Sequence, residues 1–442
     1  MTLCFFLFLT SVIASLVAGI GLIPPLLVGL LLFFLLGLKR GFSPKALAAM
    51  AWKKGKESLI VIPVFLIIGT VTALWRSSGT IAFFLYYGLR SISPSLFILT
   101  AFLLSALLSF ALGTSFGVTG TAGVVLITLA RSGGVDLAVT AGAIISGAYF
   151  GDRCSPMSSC ASLVAACTQT ELYPNVREML RTAALPTALT AALFALLSLR
   201  NPITAVDADV LSALAGHFSL HIAVLLPAAL MLLLPLLKIP VKLAMASSAV
   251  TAFALTVFLQ GIPVWDAIKT AILGYTTSQP DLQHILSGGG LVSMLNASAI
   301  VFITSLYAGI LEGIDALSPA KAWVESLADR LGLFPTTVIV SAAVAAVFCN
   351  QSVTVLMGAQ LLSGCYHRRG ASGTELAIDI ANSGVTIAGL FPWSIAISVP
   401  LSTLEVGNEA IPLSILLYMI PLCYLLTKRY FRAGQNPAQE RT

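Results

Sequence analysis

The stretch that organises this chain reads Ser146-Gly-Ala-Tyr-Phe-Gly-Asp-Arg-Cys-Ser-Pro-Met-Ser-Ser159. An apolar run, 137–150, leads into it, and another apolar run, 161–167, follows it. Asp152 and Arg153 therefore lie between hydrophobic segments, beside a proline and several small hydroxyl or thiol residues. An ionisable group inside an apolar region is costly, so a functional role is the default interpretation of Asp152.

The composition predicts an all-α polytopic membrane protein. Of 442 residues, 58% are hydrophobic and 10% are charged, and the mean hydropathy is +0.97. A soluble protein of this length carries about 25% charged residues. Apolar runs near the spanning length of roughly 20 residues recur about ten to twelve times. The first of them begins at the N-terminus without a basic segment before it, and it is interpreted as a membrane helix rather than a cleaved signal.

Several functional classes find no support in the sequence. The net charge of +6 is explained by basic loops at the membrane surface and does not indicate nucleic acid. The seven cysteines form no CxxC pair and are interpreted as structural thiols. No nucleotide-binding loop, catalytic triad or metal-ligand spacing is present, so we predict neither an enzyme nor an ATP-driven pump, and no cofactor.

The second half of the chain repeats the order of features of the first half. The run 94–112 ends at Gly113-Thr-Ser115, and the run 334–349 ends at Asn350-Gln-Ser352. We therefore predict two structural repeats of about five to six membrane segments each, with broken or re-entrant helices. The predicted boundaries are a first repeat at 1–199, an external polar linker at 200–217, and a second repeat with a basic tail at 218–442.

The distribution of charge predicts that the two repeats are inverted relative to each other. With an inverted second copy, 16 Lys and Arg residues lie in the loops assigned to the cytoplasm, which are 39–56, the polar loop 171–181, 238–242, 367–369 and 428–442. The external loops carry 3, and they are 131–136, 200–217, 263–292 and 404–410. Basic residues concentrate in cytoplasmic loops, and parallel copies would violate that rule. The chain is therefore predicted to lie in the inner (plasma) membrane with both termini cytoplasmic.

Inverted repeats are a transporter architecture, in which substrate binds near the midplane where broken helices meet. Two pairs of interruptions mark this site, namely 113–123 with 350–352 and 151–159 with 382–393. Backbone can be exposed at that depth only where protein or a water-filled cavity covers it. The predicted substrate- or ion-binding residues are Gly113, Thr114, Ser115, Thr119, Gly120, Thr121, Asp152, Ser155, Ser158, Ser159, Asn350, Gln351, Ser352, Asn382, Ser383 and Thr386.

Alternative interpretations of these residues remain open. Small residues such as Gly113 and Thr121 also mediate close helix packing in membranes. Asp152 and Arg153 could pair to stabilise the fold, or both could lie at the membrane surface. Hydroxyl and carbonyl oxygens suit a hard cation, so Na+ is the metal ion that the same site could hold. Self-association as a homodimer is compatible with the sequence.

The motifs resemble those of the NhaC-type Na+/H+ antiporters of the ion transporter superfamily. The resemblance runs in order over roughly residues 20–430 and is carried by Gly113-Thr-Ser-Phe-Gly117, Gly120-Thr121, Gly151-Asp-Arg-Cys-Ser-Pro-Met-Ser158, Gly288-Gly-Gly-Leu-Val-Ser-Met294, Asn382-Ser-Gly384 and Pro392-Trp393. It implies a secondary active transporter that exchanges Na+ for H+ by alternating access. It also implies relatives that move organic acids or amino acids.

The chain departs from this family at carboxylates of the implied ion site. The family usually has Asp-Thr-Thr-Asn where this chain has Ser159-Cys-Ala-Ser162, and Glu-Asp-Ser-Gly where it has Ala381-Asn-Ser-Gly384. Three acidic residues are therefore replaced and Asp152 remains. Two transport hypotheses follow, Na+/H+ antiport and H+- or Na+-coupled transport of a small organic acid or amino acid. A membrane scaffold without transport is a third hypothesis, against which the paired helix breaks argue.

Overall fold

The computed structural model describes residues 2–59, 62–91, 94–203, 208–237, 239–316 and 320–432. Within these ranges the protein is helical and forms no β-strand beyond an isolated bridge between Tyr275 and Gly288. In the first half the helices are α1 (Thr2–Val17), α2 (Ile23–Lys39), α3 (Pro44–Ser58), α4 (Ile62–Ser77), α5 (Thr80–Ser91), α6 (Phe97–Leu112), α7 (Ser115–Val118), α8 (Val124–Ser132), α9 (Leu137–Cys154), α10 (Ser159–Thr168) and α11 (Leu172–Arg200).

The second half of the chain also contains both short and long helices. They are α12 (Ala208–His217), α13 (Leu226–Leu236), α14 (Val241–Phe258), α15 (Val264–Leu273), α16 (Pro280–Leu286), α17 (Leu295–Gly313), α18 (Ala320–Leu331), α19 (Leu333–Phe348), α20 (Gln351–Arg368), α21 (Gly373–Ala381), α22 (Gly384–Ile387), α23 (Ile395–Leu404) and α24 (Ile415–Arg432). A π-helical turn, Thr119–Gly123, joins α7 to α8.

Length and composition support a multi-pass membrane protein, as the sequence predicts. Among the described residues, four helical segments are long and apolar enough to cross a membrane, and two further segments qualify if each bent pair of helices counts as one span. The bent pairs are α4 with α5, at 62°, and α21 and α22 with α23, at 52°. Shorter apolar helices account for most of the other apolar runs in the sequence.

Two segments predicted to be loops are helical. The predicted polar loop 171–181 is the first part of α11, which runs unbroken to Arg200. Part of the predicted linker 200–217 is α12, while residues 204–207 lie outside the described part of the chain. Leu214 of α12 is fully buried in the main hydrophobic core, and this burial stabilises a helix that local polarity did not predict.

The first pair of helix breaks has the same backbone geometry in both halves of the chain. Gly113, after α6, is left-handed at φ 68° and ψ 28°, and Cys349, after α19, is left-handed at φ 55° and ψ 21°. The next residues, Thr114 and Asn350, are extended, and each side chain accepts a hydrogen bond from the first turn of the following helix. The break predicted at 113–123 is therefore confined to two residues, because this cap restarts the helix at once.

Other local features recur in the two halves at matching positions. Ser158 and Ser394 cap α10 and α23 with their hydroxyl groups, and both helices end in a left-handed residue, at Gln169 and Glu405, with φ 56° and ψ 44° in each case. The same number of residues separates the members of every such pair. The break at 155–158 therefore corresponds to 391–394, which corrects the predicted pairing of 151–159 with the whole of 382–393.

Candidate ion and solute site

Close packing of α9 against α6 positions the acidic residue of the opening stretch. An added Cβ atom at Gly147 would lie 2.4 Å from the carbonyl oxygen of Phe102, and one at Gly151 would lie 2.0 Å from the carbonyl carbon of Ser109. Glycine is therefore required at both positions for the two helices to approach so closely. Asp152 follows Gly151 in the last full turn of α9, before the break rather than within it.

The carboxylate of Asp152 faces the first residues of two helices from different halves of the chain. The Ser115 hydroxyl, at the start of α7, lies 3.2 Å from Oδ2 of Asp152. The backbone N–H of Ser115 and the side-chain amide of Gln351, at the start of α20, also lie near this carboxylate, and the Gln351 amide donates to the Val385 carbonyl (3.0 Å). Helix N-termini favour negative charge. Asp152 is 6% exposed, so these donors replace much of its hydration.

Arg153 points away from Asp152 and is held by neutral acceptors. Its guanidinium donates to the Ala381 carbonyl (3.1 Å), the Met179 carbonyl (3.1 Å), the Thr182 hydroxyl (2.9 Å) and Oδ1 of Asn382. Arg153 is 1% exposed, and no carboxylate of the described residues forms an ion pair with it. The neighbouring pair Asp152 and Arg153 is therefore not an internal salt bridge.

A cavity of about 450 Å³ lies beside this carboxylate. Four predicted site residues line it, namely Ser159, Asn350, Gln351 and Ser352, and Ser159 and Ser352 are exposed. Its walls are otherwise largely apolar, with Phe116 among them. Because Gln351 both lines the cavity and lies near Asp152, its side chain stands between the cavity and the buried carboxylate.

The other predicted site residues bind backbone or pack helices together. The Thr119 and Thr121 hydroxyls donate to carbonyls of their own helix, and Ser155 donates to the Phe110 carbonyl (2.6 Å). Gly113 packs against Met157, Gly120 packs against Ile68, and Thr114 caps α7. The hydroxyl groups of Ser158, Ser383 and Thr386 donate to the carbonyls of Asp152 (2.5 Å), Asp379 (2.7 Å) and Ser383 (3.2 Å), respectively. Asn382 accepts a hydrogen bond from Arg153.

Sequence reasoning missed the cavity wall formed by α3 and α17. Lys54 and Ser58 of α3 line the cavity, as do Thr304 and Ser305 of α17. Lys54 also pairs with Glu312, with Nζ 3.2 Å from Oε2. The adjacent hydroxyl residues in an otherwise apolar run were the available signal for α17. Nothing local distinguished Lys54 from the other basic residues of its loop.

A second ionic group joins the two halves of the chain at the other end of the broken helices. Glu405, which follows α23, pairs with Arg76 (2.9 Å) and Arg131 (3.3 Å) and accepts the Gly289 backbone N–H (3.0 Å). Arg76 is 1% exposed. Arg131 lies in a segment predicted to be external and Lys54 in one predicted to be cytoplasmic, so the predicted topology places this group and Lys54 toward opposite sides of the membrane.

Broken helices that meet at a buried carboxylate beside an open cavity are the architecture of a membrane transporter. Comparison with known proteins specifies the class further. The model of the Na+/H+ antiporter family matches residues 3–161 and 147–428. The chain therefore belongs to the Na+/H+ antiporter family, and the family resemblance noted from its motifs is confirmed.

Individual relatives agree over most of the chain. The malate-2H(+)/Na(+)-lactate antiporter of Bacillus subtilis is 29% identical over 81% of this chain and 78% of its own length. An uncharacterized Na(+)/H(+) antiporter of Haemophilus influenzae is 30% identical, with 79% and 77% covered. The Na(+)/H(+) antiporter NhaC of Alkalihalophilus pseudofirmus is 27% identical, with 82% and 81% covered. Their names cover both ion exchange and coupled exchange of organic acids.

Proposed function

We propose that this protein exchanges Na+ for H+ across the cell membrane, with Asp152 as the group that binds both in turn. The observation that carries the proposal is the burial of this carboxylate where α9, α7 and α20 converge, beside an open cavity. Ionised, it binds Na+ together with the hydroxyl oxygen of Ser115. Protonated, it is neutral and no longer favours a cation. Competition of Na+ and H+ for one carboxylate couples their movements in opposite directions.

Two inverted repeats, 1–199 and 218–442 joined by the linker 200–217, supply the alternating access. The matching helix breaks and caps in the two halves support an internal duplication. The excess of Lys and Arg in the loops assigned to the cytoplasm supports inversion and cytoplasmic termini.

The described conformation fits an inward-facing state. The cavity opens beside α3, which forms most of the basic segment 39–56 predicted to be cytoplasmic, while Glu405 joins Arg76 and Arg131 at the opposite end. Separation of these ion pairs opens the external side in the other state. In a protein whose native cysteines are replaced, Ser159→Cys and Ser352→Cys should react with an impermeant maleimide from the cytoplasmic side only.

Flux measurements test the ion exchange. The purified protein is reconstituted in liposomes with an internal pH-sensitive dye, and Na+, Li+ or K+ is added outside. Proton movement driven by Na+ is expected, and Asp152→Asn abolishes it. The matched control is Asp266→Asn, at a half-exposed carboxylate paired with Lys269. If no cation drives proton flux in the unaltered protein, the exchange is refuted. If Asp152→Asn retains full flux, the role of that carboxylate is refuted.

A small organic acid is the second candidate cargo. A cavity of about 450 Å³ with apolar walls, the Asn350 and Gln351 amides and the Lys54 cation is larger and more mixed in chemistry than a Na+ site needs. A carboxylate could bind at the start of α20, and Lys54 would complement its charge. Accumulation of radiolabelled malate or lactate, driven by a Na+ or proton gradient and reduced in Lys54→Gln, would support this cargo. Failure to accumulate either solute under both gradients counts against it.

A further inference from the structure

The cavity beside Asp152 is bordered by two helices that come from different halves of the chain. Ser159 and Leu163 of α10 line it, and so do Thr304 and Ser305 of α17. Leu163 and Ser305 are half-buried. Helices α10 and α17 therefore border the same open space, which extends toward the side of the membrane that is predicted to be cytoplasmic.

The spacing of the matched helix caps identifies a counterpart for each of these helices in the other half of the chain. By that spacing, α23 corresponds to α10 and α4 corresponds to α17. Packing supports the correspondence. Helix α3 packs against α17, and the counterpart of α3, residues 280–294, ends in a turn, Leu291–Met294, that packs against α4. At this contact the Gly290 N–H donates to the Gly69 carbonyl (2.7 Å).

The counterpart helices, α4 and α23, lie against each other. Helix α23 packs against α4, and Val399, the counterpart of Leu163, is fully buried. A Cβ atom added at Gly120 would lie 3.2 Å from Cγ2 of Ile68 on α4, so these two residues also pack together. Their counterparts instead line the cavity, namely Leu356 and Thr304. The space that is open between α10 and α17 is therefore closed between α23 and α4.

Charged residues at the helix ends distinguish the two pairs of helices further. Arg76, at the end of α4, pairs with Glu405, which follows α23, at 2.9 Å. The counterparts of these residues are Glu312 and Gln169, and both are exposed. Glu312 pairs with Lys54, whereas Gln169 is neutral. Closure of α10 on α17 would bring a carboxylate to an amide rather than to a guanidinium, which is a weaker interaction. This difference favours the described conformation, in which α4 and α23 are closed.

We propose that α4 and α23 enclose the external half of the transport pathway. When these helices separate, Ile68, Gly120 and Val399 line a cavity that opens to the outside. At the same time α10 closes on α17, and the Gln169 amide donates to the Glu312 carboxylate. This inference rests on the inverted repeats and the alternating access proposed above. It requires neither Na+ nor H+ as the cargo.

Two counterpart positions report the opening of the two sides. In a protein whose native cysteines are replaced, Leu163→Cys should react with an impermeant maleimide from the cytoplasmic side, and Val399→Cys should react slowly from outside. Adding Glu405→Gln removes the carboxylate that joins α23 to Arg76. The external labelling of Val399→Cys should then rise at least about tenfold, while the cytoplasmic labelling of Leu163→Cys falls.

Leu401→Cys is the matched control on α23. Leu401 is also buried, but it lies two residues beyond Val399 and therefore on the opposite side of the helix. It should remain unreactive in both backgrounds. If Leu401→Cys reacts as fast as Val399→Cys, or if both reporter positions become more reactive together, Glu405→Gln has loosened the fold and the proposed pathway is overturned.

A second variant tests the cytoplasmic closure without altering the external side. Gln169→Arg places a cation where α10 would meet Glu312, so it should slow the labelling of Leu163→Cys and speed that of Val399→Cys. Gln169→Glu places like charges together and should not slow the labelling of Leu163→Cys. Unchanged labelling in Gln169→Arg overturns the meeting of Gln169 and Glu312.

Labelling also separates this inference from the proposed ion exchange, because it needs no transported cation. Absence of Na+-driven proton flux in the wild-type protein refutes the exchange, and the reciprocal labelling of Leu163→Cys and Val399→Cys still decides whether α4 and α23 enclose a pathway. Val399→Cys that stays unreactive from outside in both Glu405→Gln and Gln169→Arg overturns the pathway even if the wild-type protein exchanges ions.

Discussion

Substitution of Gly151 by alanine provides a direct test of the geometry that supports Asp152. The added Cβ atom would lie 2.0 Å from the carbonyl carbon of Ser109 and 2.1 Å from the amide nitrogen of Phe110. Ordinary van der Waals contact begins at 3.4 Å. Both neighbouring atoms belong to the backbone of α6, so neither can move aside as a flexible side chain would. Helix α9 must therefore shift by more than about 1 Å, since packed interiors tolerate no such overlap.

This shift has two measurable consequences. Overpacking of this kind costs about 1–3 kcal/mol, which lowers the thermal unfolding midpoint in detergent. The carboxylate of the next residue, Asp152, moves away from the Ser115 hydroxyl and from Gln351. A displacement of about 1 Å can reduce the rate of a precisely positioned reaction by about a hundredfold. We therefore expect Na+-driven proton flux in liposomes to fall by about that factor.

Gly358→Ala is the matched control because it adds the same methyl group in another apolar helix. No heavy atom lies within 4 Å of the Cβ position at Gly358. Alanine favours helix over glycine by up to about 1 kcal/mol, so this variant should be as stable as the wild type or more stable. If Gly151→Ala and Gly358→Ala transport at the same rate, the close approach of α9 and α6 does not position the site.

Three further substitutions test other contacts. Ser115→Ala removes the hydroxyl that lies 3.2 Å from Asp152. A hydrogen bond to a charged group contributes about 1.5–3 kcal/mol. The Na+ concentration for half-maximal flux should therefore rise at least about tenfold. Glu405→Gln leaves Arg76 buried without its carboxylate partner. Loss of one partner of a buried ion pair costs about 3–5 kcal/mol, so the thermal unfolding midpoint in detergent should fall. Asn382→Asp gives Arg153 a charged partner in place of an amide, and the same measurement should show a higher midpoint.

Each of these variants has a result that contradicts its rationale. Unaltered Na+ dependence in Ser115→Ala would exclude its hydroxyl from the ion site. Glu178→Gln serves as the control for Glu405→Gln, because Glu178 pairs with an exposed arginine at the start of a helix rather than with a buried one. Equal unfolding midpoints for the two variants would show that the ion pairs of Glu405 contribute no stability. A lower midpoint in Asn382→Asp would mean that burial of the added charge outweighs its attraction to Arg153.

Local rules predicted the helix breaks well where a single residue type sets the backbone conformation. Gly113 could be anticipated because left-handed backbone and close approach both favour glycine. Cys349 could not, since its left-handed conformation is held by packing around α19 and by the bond of its Sγ to the Tyr307 hydroxyl (2.6 Å). The polar loop predicted at 171–181 was wrong because charged residues on one face of a long helix resemble a loop in composition.

The candidate site was also predictable from the sequence only in part. Asp152, Ser115 and Gln351 were each predicted as site residues, but 199 positions separate Asp152 from Gln351 along the chain, and no spacing rule brings these two together. They come near each other because α10, which follows α9 after the break, packs against α20. Lys428, the partner of Asp379, was also unpredictable. It lies on another helix, and the distribution of Lys and Arg residues assigned it to a cytoplasmic tail.

By itself, the sequence determined the membrane environment, the apolar helices, the positions at which they break and the family to which the chain belongs. These properties depend on composition and on neighbouring residues, because hydrocarbon excludes unpaired backbone and left-handed turns select particular side chains. Only the tertiary structure decided which broken ends face Asp152, that Arg153 turns away to neutral acceptors, and that Glu375, Asp379 and Lys428 share one buried site. These relations depend on how distant helices pack, and the energy of a buried charge is set by its neighbours in space rather than in sequence.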